Sequence, residues 1–152
     1  TCEPLLYGRQ QQQQQVELEQ FAAPSSLSYT GFAGKGFVAI SNTENTTLNI
    51  TVQVPTAGRY LVDFRYANGS GPWNTDNKCA IRSLYVNTQY AGSFVFPQRG
   101  KDEWSEWGYS NARYVNLNAG ANNLQLKLEP WNINMNVDVN TAMLDALRLV
   151  KM

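Results

Sequence analysis

Hydrophobic and polar positions alternate along much of the chain with a period of two. Leu48, Ile50, Val52 and Val54 are separated by Asn49, Thr51 and Gln53; Tyr60, Val62, Phe64 and Tyr66 are separated by Leu61, Asp63 and Arg65. Successive side chains of a strand point to opposite faces, so both stretches predict half-buried strands. Pro55-Thr56-Ala57-Gly58 separates them as a turn. Further short strands are predicted over 81–86, 90–96, 103–109, 113–117, 123–128 and 144–150. Residues 67–76 and 118–122 read as turns, and 129–141 as a long polar loop. No stretch has the spacing of an amphipathic helix of ordinary length. Many short strands at intervals of roughly 8–12 residues predict an all-β fold, a β-sandwich jelly roll of two antiparallel sheets.

The uninterrupted glutamines from Gln10 to Gln15 have nothing to bury. Residues 1–15 therefore read as a tail or linker joining an upstream domain, with the ordered module over 16–152. No signal peptide opens the sequence, and Thr1 reads as a cut or mature start.

Composition removes whole classes of function. The 152 residues suit one domain, and 43% hydrophobic against 16% charged residues is not the composition of a disordered chain. Twelve basic and twelve acidic residues cancel, with no Lys/Arg cluster to release counterions from a nucleic acid. No apolar run approaches the roughly 20 residues of a membrane helix. The chain has no histidine, which excludes Ser-His-Asp and Cys-His catalysis and argues against zinc. A metal would be held by oxygen, which points to calcium. Cys2 and Cys79 are too few for a disulfide framework, and their spacing leaves open whether they are bridged or separate. Sequons begin at Asn45, Asn49 and Asn68 and matter only in a eukaryotic secretory route.

The order of motifs is that of a known family. Val16-Glu17-Leu18-Glu19 is followed by Gly31-Phe32-Ala33-Gly34-Lys35-Gly36-Phe37-Val38 and Val54-Pro55-Thr56-Ala57-Gly58-Arg59-Tyr60. Then come Phe64-Arg65-Tyr66-Ala67-Asn68-Gly69, Trp104-Ser105-Glu106-Trp107, Leu117-Asn118-Ala119-Gly120-Ala121-Asn122-Asn123 and Leu144-Asp145-Ala146-Leu147-Arg148-Leu149. From about Val16 to the C-terminus the chain resembles the family 35 carbohydrate-binding modules and their relatives in family 6. That resemblance implies a β-jelly roll, no catalysis, a structural calcium ion at the sandwich edge and an accessory role beside a catalytic domain. It also implies a secreted, cell-surface or periplasmic protein.

Glu17 and Glu19 are two apart in a predicted strand and so share a face, where two carboxylates repel unless a cation joins them. Asp145 interrupts an apolar final strand, where an unpaired carboxylate is costly to bury. The resemblance makes Asp145 the third metal ligand after Glu17 and Glu19, with backbone oxygens from the turn at 32–36.

A sugar offers an apolar C–H face and a rim of hydroxyls, so its site needs an aromatic platform and short polar side chains. Trp104 and Trp107, three apart in a predicted strand, face opposite sides: one packs in the core while the other faces a cleft. The resemblance gives Trp104 the stacking role. Tyr29 is a candidate second platform, Asn68 and Asn140 candidate hydrogen-bonding ligands, and the loop residues Trp73 and Trp131 candidate extensions of the cleft. Met143 stands two before Asp145, near where the family commonly has an Asn ligand, and Asn140 or Asn134 is the substitute. Asp76 or Asp138 is the candidate for a second, ligand-bound calcium of the kind some members use for uronic acids. Two other functions compete: a sandwich that only packs on a catalytic domain, and a glycosidase or lyase using Asp102, Glu103 and Glu106. Adjacent carboxylates diverge in a strand, which counts against the last.

Overall fold

Alternation in the sequence becomes alternation in burial. Along β3 (Thr47–Val54) exposed and buried residues alternate without a break, with Leu48, Ile50, Val52 and Val54 inside. The computed structural model describes residues 13–69, 79–99, 103–134 and 140–152. Its strands are β1 (Gln13–Glu17), β2 (Val38–Ile40), β3, β4 (Gly58–Ala67), β5 (Cys79–Val86), β6 (Gln89–Pro97), β7 (Gly108–Tyr109), β8 (Arg113–Leu117), β9 (Gly120–Lys127) and β10 (Ala142–Lys151). A 3-10 turn (Leu18–Gln20) follows β1, and a five-residue helix, α1 (Pro130–Asn134), precedes β10.

The strands form two antiparallel sheets. In the six-stranded sheet β1, β10, β4 and β7 follow one another, with β2 also on β10 and β8 also on β4; the four-stranded sheet runs β3-β9-β5-β6. The expected β-sandwich is therefore present. Its core lies between the sheets, where Phe64 meets Phe94 edge-on at 5.0 Å between ring centres and Phe96 at 5.9 Å.

Three local expectations need correcting. β1 begins at Gln13, inside the glutamine run, and pairs Gln13 with Val150, Gln14 with Leu149 and Gln15 with Arg148. Main-chain pairing to β10 supplies what the side chains lack. Glu17 ends that strand and Glu19 lies in the 3-10 turn, so the two are not neighbours on one strand face. Of the predicted strand 103–109 only Gly108–Tyr109 is extended, because the segment 104–107 turns to fold its tryptophans over the outer surface of the six-stranded sheet.

That outer surface is where the site begins. On β2, β4 and β10 the core residues Val38, Ile40, Tyr66, Ala142 and Leu144 alternate with Phe37, Ala39, Ala67 and Met143. The second set points away from the core and makes an apolar floor, covered by Tyr29, Phe32, Trp104 and Trp107.

Candidate functional site

Two features lie side by side at the Ala67 end of β4: an aromatic stack and a trio of carboxylates. In the stack, Tyr29 lies between Phe37 and Trp104. Its ring is 5.9 Å from Phe37 and 5.7 Å from Trp104, inclined by only 13° to the indole. Trp107 closes the group at 5.5 Å from Phe37 and donates its indole N–H to the Thr30 carbonyl at 2.6 Å. Ser105 accepts the Thr30 N–H at 2.9 Å, so the 104–107 turn and the loop carrying Tyr29 are tied together.

Both tryptophans therefore pack on one cluster, and the expectation that they face opposite sides fails because the segment is not a strand. Trp104 nonetheless remains half-buried at the outer end of the stack. Tyr29 covers one of its faces. A separation of 5.7 Å leaves no room for a pyranose between the two rings, so a sugar would stack on the far face of the indole.

The carboxylates of Glu17, Glu19 and Asp145 offer oxygens that all lie within 4.8 Å of one another. Asp145 is fully buried; its Oδ2 accepts the Ala33 N–H at 2.8 Å and pairs with the Arg65 guanidinium at 2.5 Å. The Lys35 N–H donates to Glu19 Oε2 at 2.9 Å, and Gln15 donates to Glu17 Oε1 at 3.1 Å. One oxygen on each acid, Glu17 Oε2, Glu19 Oε1 and Asp145 Oδ1, is buried without a hydrogen-bond partner. Three orphaned acceptors facing one another are costly unless a cation or protons join them. Burial raises the pKa of Glu17 above the usual carboxylate range, helped by the charges of Asp145 and Glu19 and opposed by the Gln15 hydrogen bond and Arg65. Burial likewise raises Asp145, against the Ala33 hydrogen bond and Arg65 and with the help of Glu19.

Gly34 lets the loop close over this trio. Its φ is +64°, and a Cβ there would stand 2.6 Å from Glu19 Oε2. An all-oxygen donor set of this kind fits a hard cation.

Arg65 was not singled out from the sequence, although it opens the Arg-Tyr-Ala-Asn-Gly stretch. It pairs with Asp145, donates to the Gly31 carbonyl at 3.1 Å and lies 5.5 Å from the Trp107 ring centre. One guanidinium thus spans the carboxylates and the aromatic loop.

The remaining candidates are dispersed. Asn68 is buried, with its amide donating to the Phe96 carbonyl at 2.8 Å. Asn140 is also buried; its Oδ1 accepts the Ile81 N–H at 2.8 Å and Arg82 at 2.6 Å. It holds the fully buried guanidinium of Arg82, whose pKa burial lowers to about 10, and no sugar reaches it in this conformation. Trp131 is 47% exposed on α1 and donates to Ser83 Oγ at 3.1 Å. Ser83 alternates with the core residue Leu84, so Trp131 covers the outer face of the four-stranded sheet, the opposite side of the sandwich from Trp104. It cannot extend the same cleft. Trp73, Asp76, Asp102 and Asp138 lie outside the described residues, as does Cys2; Cys79 is buried at the start of β5.

No family model matches the chain. A 1,6-alpha-glucosyltransferase of Sporosarcina globispora is 33% identical over 127 residues, which is 82% of this chain and 9% of that protein. The chain therefore spans about a tenth of the length of that curated relative. A family 35 carbohydrate-binding module from Clostridium thermocellum superposes with a TM-score of 0.67 at 20% identity, covering 92% of this chain and 98% of the module. A family 35 module solved with a disaccharide containing glucuronic acid superposes with a TM-score of 0.62 at 25% identity, covering 91% of each. Fold and likeness together define a two-sheet antiparallel β-sandwich of the kind seen in solved carbohydrate-binding modules. Within that class the chain has the family 35 carbohydrate-binding module fold, as its motif order implies.

Proposed function

We propose that this chain is a calcium-stabilised carbohydrate-binding module of a secreted or cell-surface protein, which holds an attached glycoside hydrolase or lyase on a glycan. The observation that carries this reading is the Trp104 indole, backed on one face by Tyr29 at 5.7 Å and anchored through Phe37 to the sheet. A rigid ring loses little entropy when a pyranose C–H face settles on it. The orphaned oxygens of Glu17, Glu19 and Asp145 support calcium as the ion beneath the adjoining loop. When bound, calcium supplies only charge and coordination. The chain's own residues do the rest: Arg65 and the Ala33 N–H hold Asp145, the Lys35 N–H holds Glu19, and Gly34 lets the backbone lie close.

Catalysis finds no support among the described residues. Glu103 and Glu106 are both exposed, without the enclosed surroundings in which paired carboxylates do acid–base work. Glycan-array screening with and without chelator, repeated with Trp104→Ala, tests the reading. Binding by the parent chain and its marked weakening in the variant is the expected result. An array with no positive glycan would favour the alternative, a sandwich that only packs against a catalytic domain.

A further inference from the structure

A second aromatic cleft lies at the opposite pole of the sandwich. Tyr114 and Asn116 of the cleft lie opposite Leu61 and Arg59 of β4, and the stretch of that strand from there to Ala67 beside Trp104, at about 3.3 Å per residue, spans roughly 20–26 Å. The cleft has a volume of about 480 Å³ and is walled by Tyr90 and Tyr114, with Val86 and Val115 in its floor and Gln89 and Asn116 at its rim. Among the described residues, no ionisable side chain other than the two tyrosines lines it. Tyr90 is 56% exposed and Tyr114 51%, more than any other aromatic residue among those described.

Both rings are held although they are exposed. The Arg59 guanidinium lies 3.8 Å from the centre of the Tyr114 ring, a distance reached only over the ring face. Tyr90 packs edge-on against Tyr85 at 5.7 Å, and its hydroxyl is 3.0 Å from Ser93 Oγ.

The hairpin beside them is strained. Asn87 and Thr88 have φ of 48° and 76°, and for a β-branched threonine that conformation is rare. Asn87 keeps it there: its N–H donates to the Asn123 carbonyl, its Oδ1 accepts the Asn123 N–H and its Nδ2 donates to Asn122 Oδ1, at 2.8–2.9 Å. Rigidly held aromatic walls, uncharged amides and a stabilised strained turn are the features of a preorganised site.

We propose that this cleft is a second binding site for a neutral saccharide, independent of Trp104 and able to engage a separate stretch of the same polymer. The amides at the rim offer hydrogen bonds to the hydroxyls of a neutral sugar, and the exposed Tyr90 and Tyr114 rings take the C–H side of a hexose. Two sites roughly 20–26 Å apart raise affinity for a long glycan while leaving short oligosaccharides unaffected.

The test uses the whole chain carrying Trp104→Ala, so that failure at the first site does not decide the second. Amide and side-chain NMR signals are followed while α-1,6-gluco-, β-1,4-gluco-, β-1,4-manno- and β-1,4-xylo-oligosaccharides are added in turn. Saturable shifts confined to Gln89, Tyr90, Tyr114 and Asn116 are expected with at least one sugar. They should weaken at least tenfold in Trp104→Ala/Tyr90→Ala and in the milder Trp104→Ala/Asn116→Ala, which keeps both rings and serves should the first variant melt early. No shift at this pole with any of the four sugars, or shifts that survive both second substitutions, overturns the proposal. A cleft that instead docks a neighbouring domain gives the first of those outcomes.

Discussion

Removing the cation from the Glu17–Glu19–Asp145 trio should lower the melting temperature by about 5–10 °C. Ion-free, the fold keeps one unsatisfied buried oxygen on each of the three acids. Each such group costs about 1–3 kcal/mol, more when charged, so the unrelieved total is roughly 3–9 kcal/mol. The ion's own contribution is set by mass action: at a hundred times its dissociation constant it adds about 2.7 kcal/mol. For a domain of this size each kcal/mol moves the midpoint by about 2–4 °C. Differential scanning calorimetry in excess calcium and in excess chelator reads the difference. Asp145→Asn should melt at one temperature in both, because the neutral amide leaves two charges for the cation and removes the Arg65 ion pair. Glu44→Gln, on an exposed residue, should keep the full calcium response. Coincident melting curves for the parent chain in calcium and chelator would refute the reasoning.

Further expectations follow from the same coordinates. In chelator, Glu17 and Asp145 bind protons more readily folded than unfolded, so their share of stability falls as pH rises above about 4 and returns on acidification. The calcium-dependent increment moves oppositely, shrinking as protons compete for the same oxygens; melts between pH 4 and 7 with and without calcium show both trends. Trp104→Ala should remove the binding at the Trp104 site on titration calorimetry, leaving only what the Tyr90–Tyr114 cleft holds, and shift the midpoint by only a few degrees, since the indole lies at the outer end of its stack. Phe64→Ala should cost about 3–5 kcal/mol in urea unfolding, because its ring is fully buried between Phe94 and Phe96. Arg82→Ala should cost about 3 kcal/mol by the same assay, since it opens a cavity and leaves the Ser41 and Asn140 carbonyls without their buried donor.

Much of the sandwich can be read along the chain because one buried face imposes a period of two. β3 and β4 lie close to where alternation places them. Pairing that depends on the main chain leaves no such mark, which is why β1 could not be anticipated within the glutamines. The carboxylate trio was legible residue by residue, although its geometry comes from a turn and a closing glycine loop rather than one strand. Trp104 and Tyr29 were legible as candidate platforms; their stacking on each other was not. Asn140 misled because an exposed-loop asparagine and one buried to hold Arg82 look alike without the fold, and no local pattern marks Arg82 itself as inward-facing. Trp131 misled for a simpler reason: the two outer faces of a sandwich are equally invisible in a linear sequence.

The claim at the centre is that the open face of Trp104 is the sugar platform. The most direct measurement follows the indole N–H signals of the four tryptophans by NMR as an oligosaccharide from the array is added. The account predicts a large saturable shift for Trp104, a small one for Trp107, whose N–H stays on the Thr30 carbonyl, and none for Trp131 on the far face. A saturable shift at Trp131 with Trp104 unmoved would contradict it.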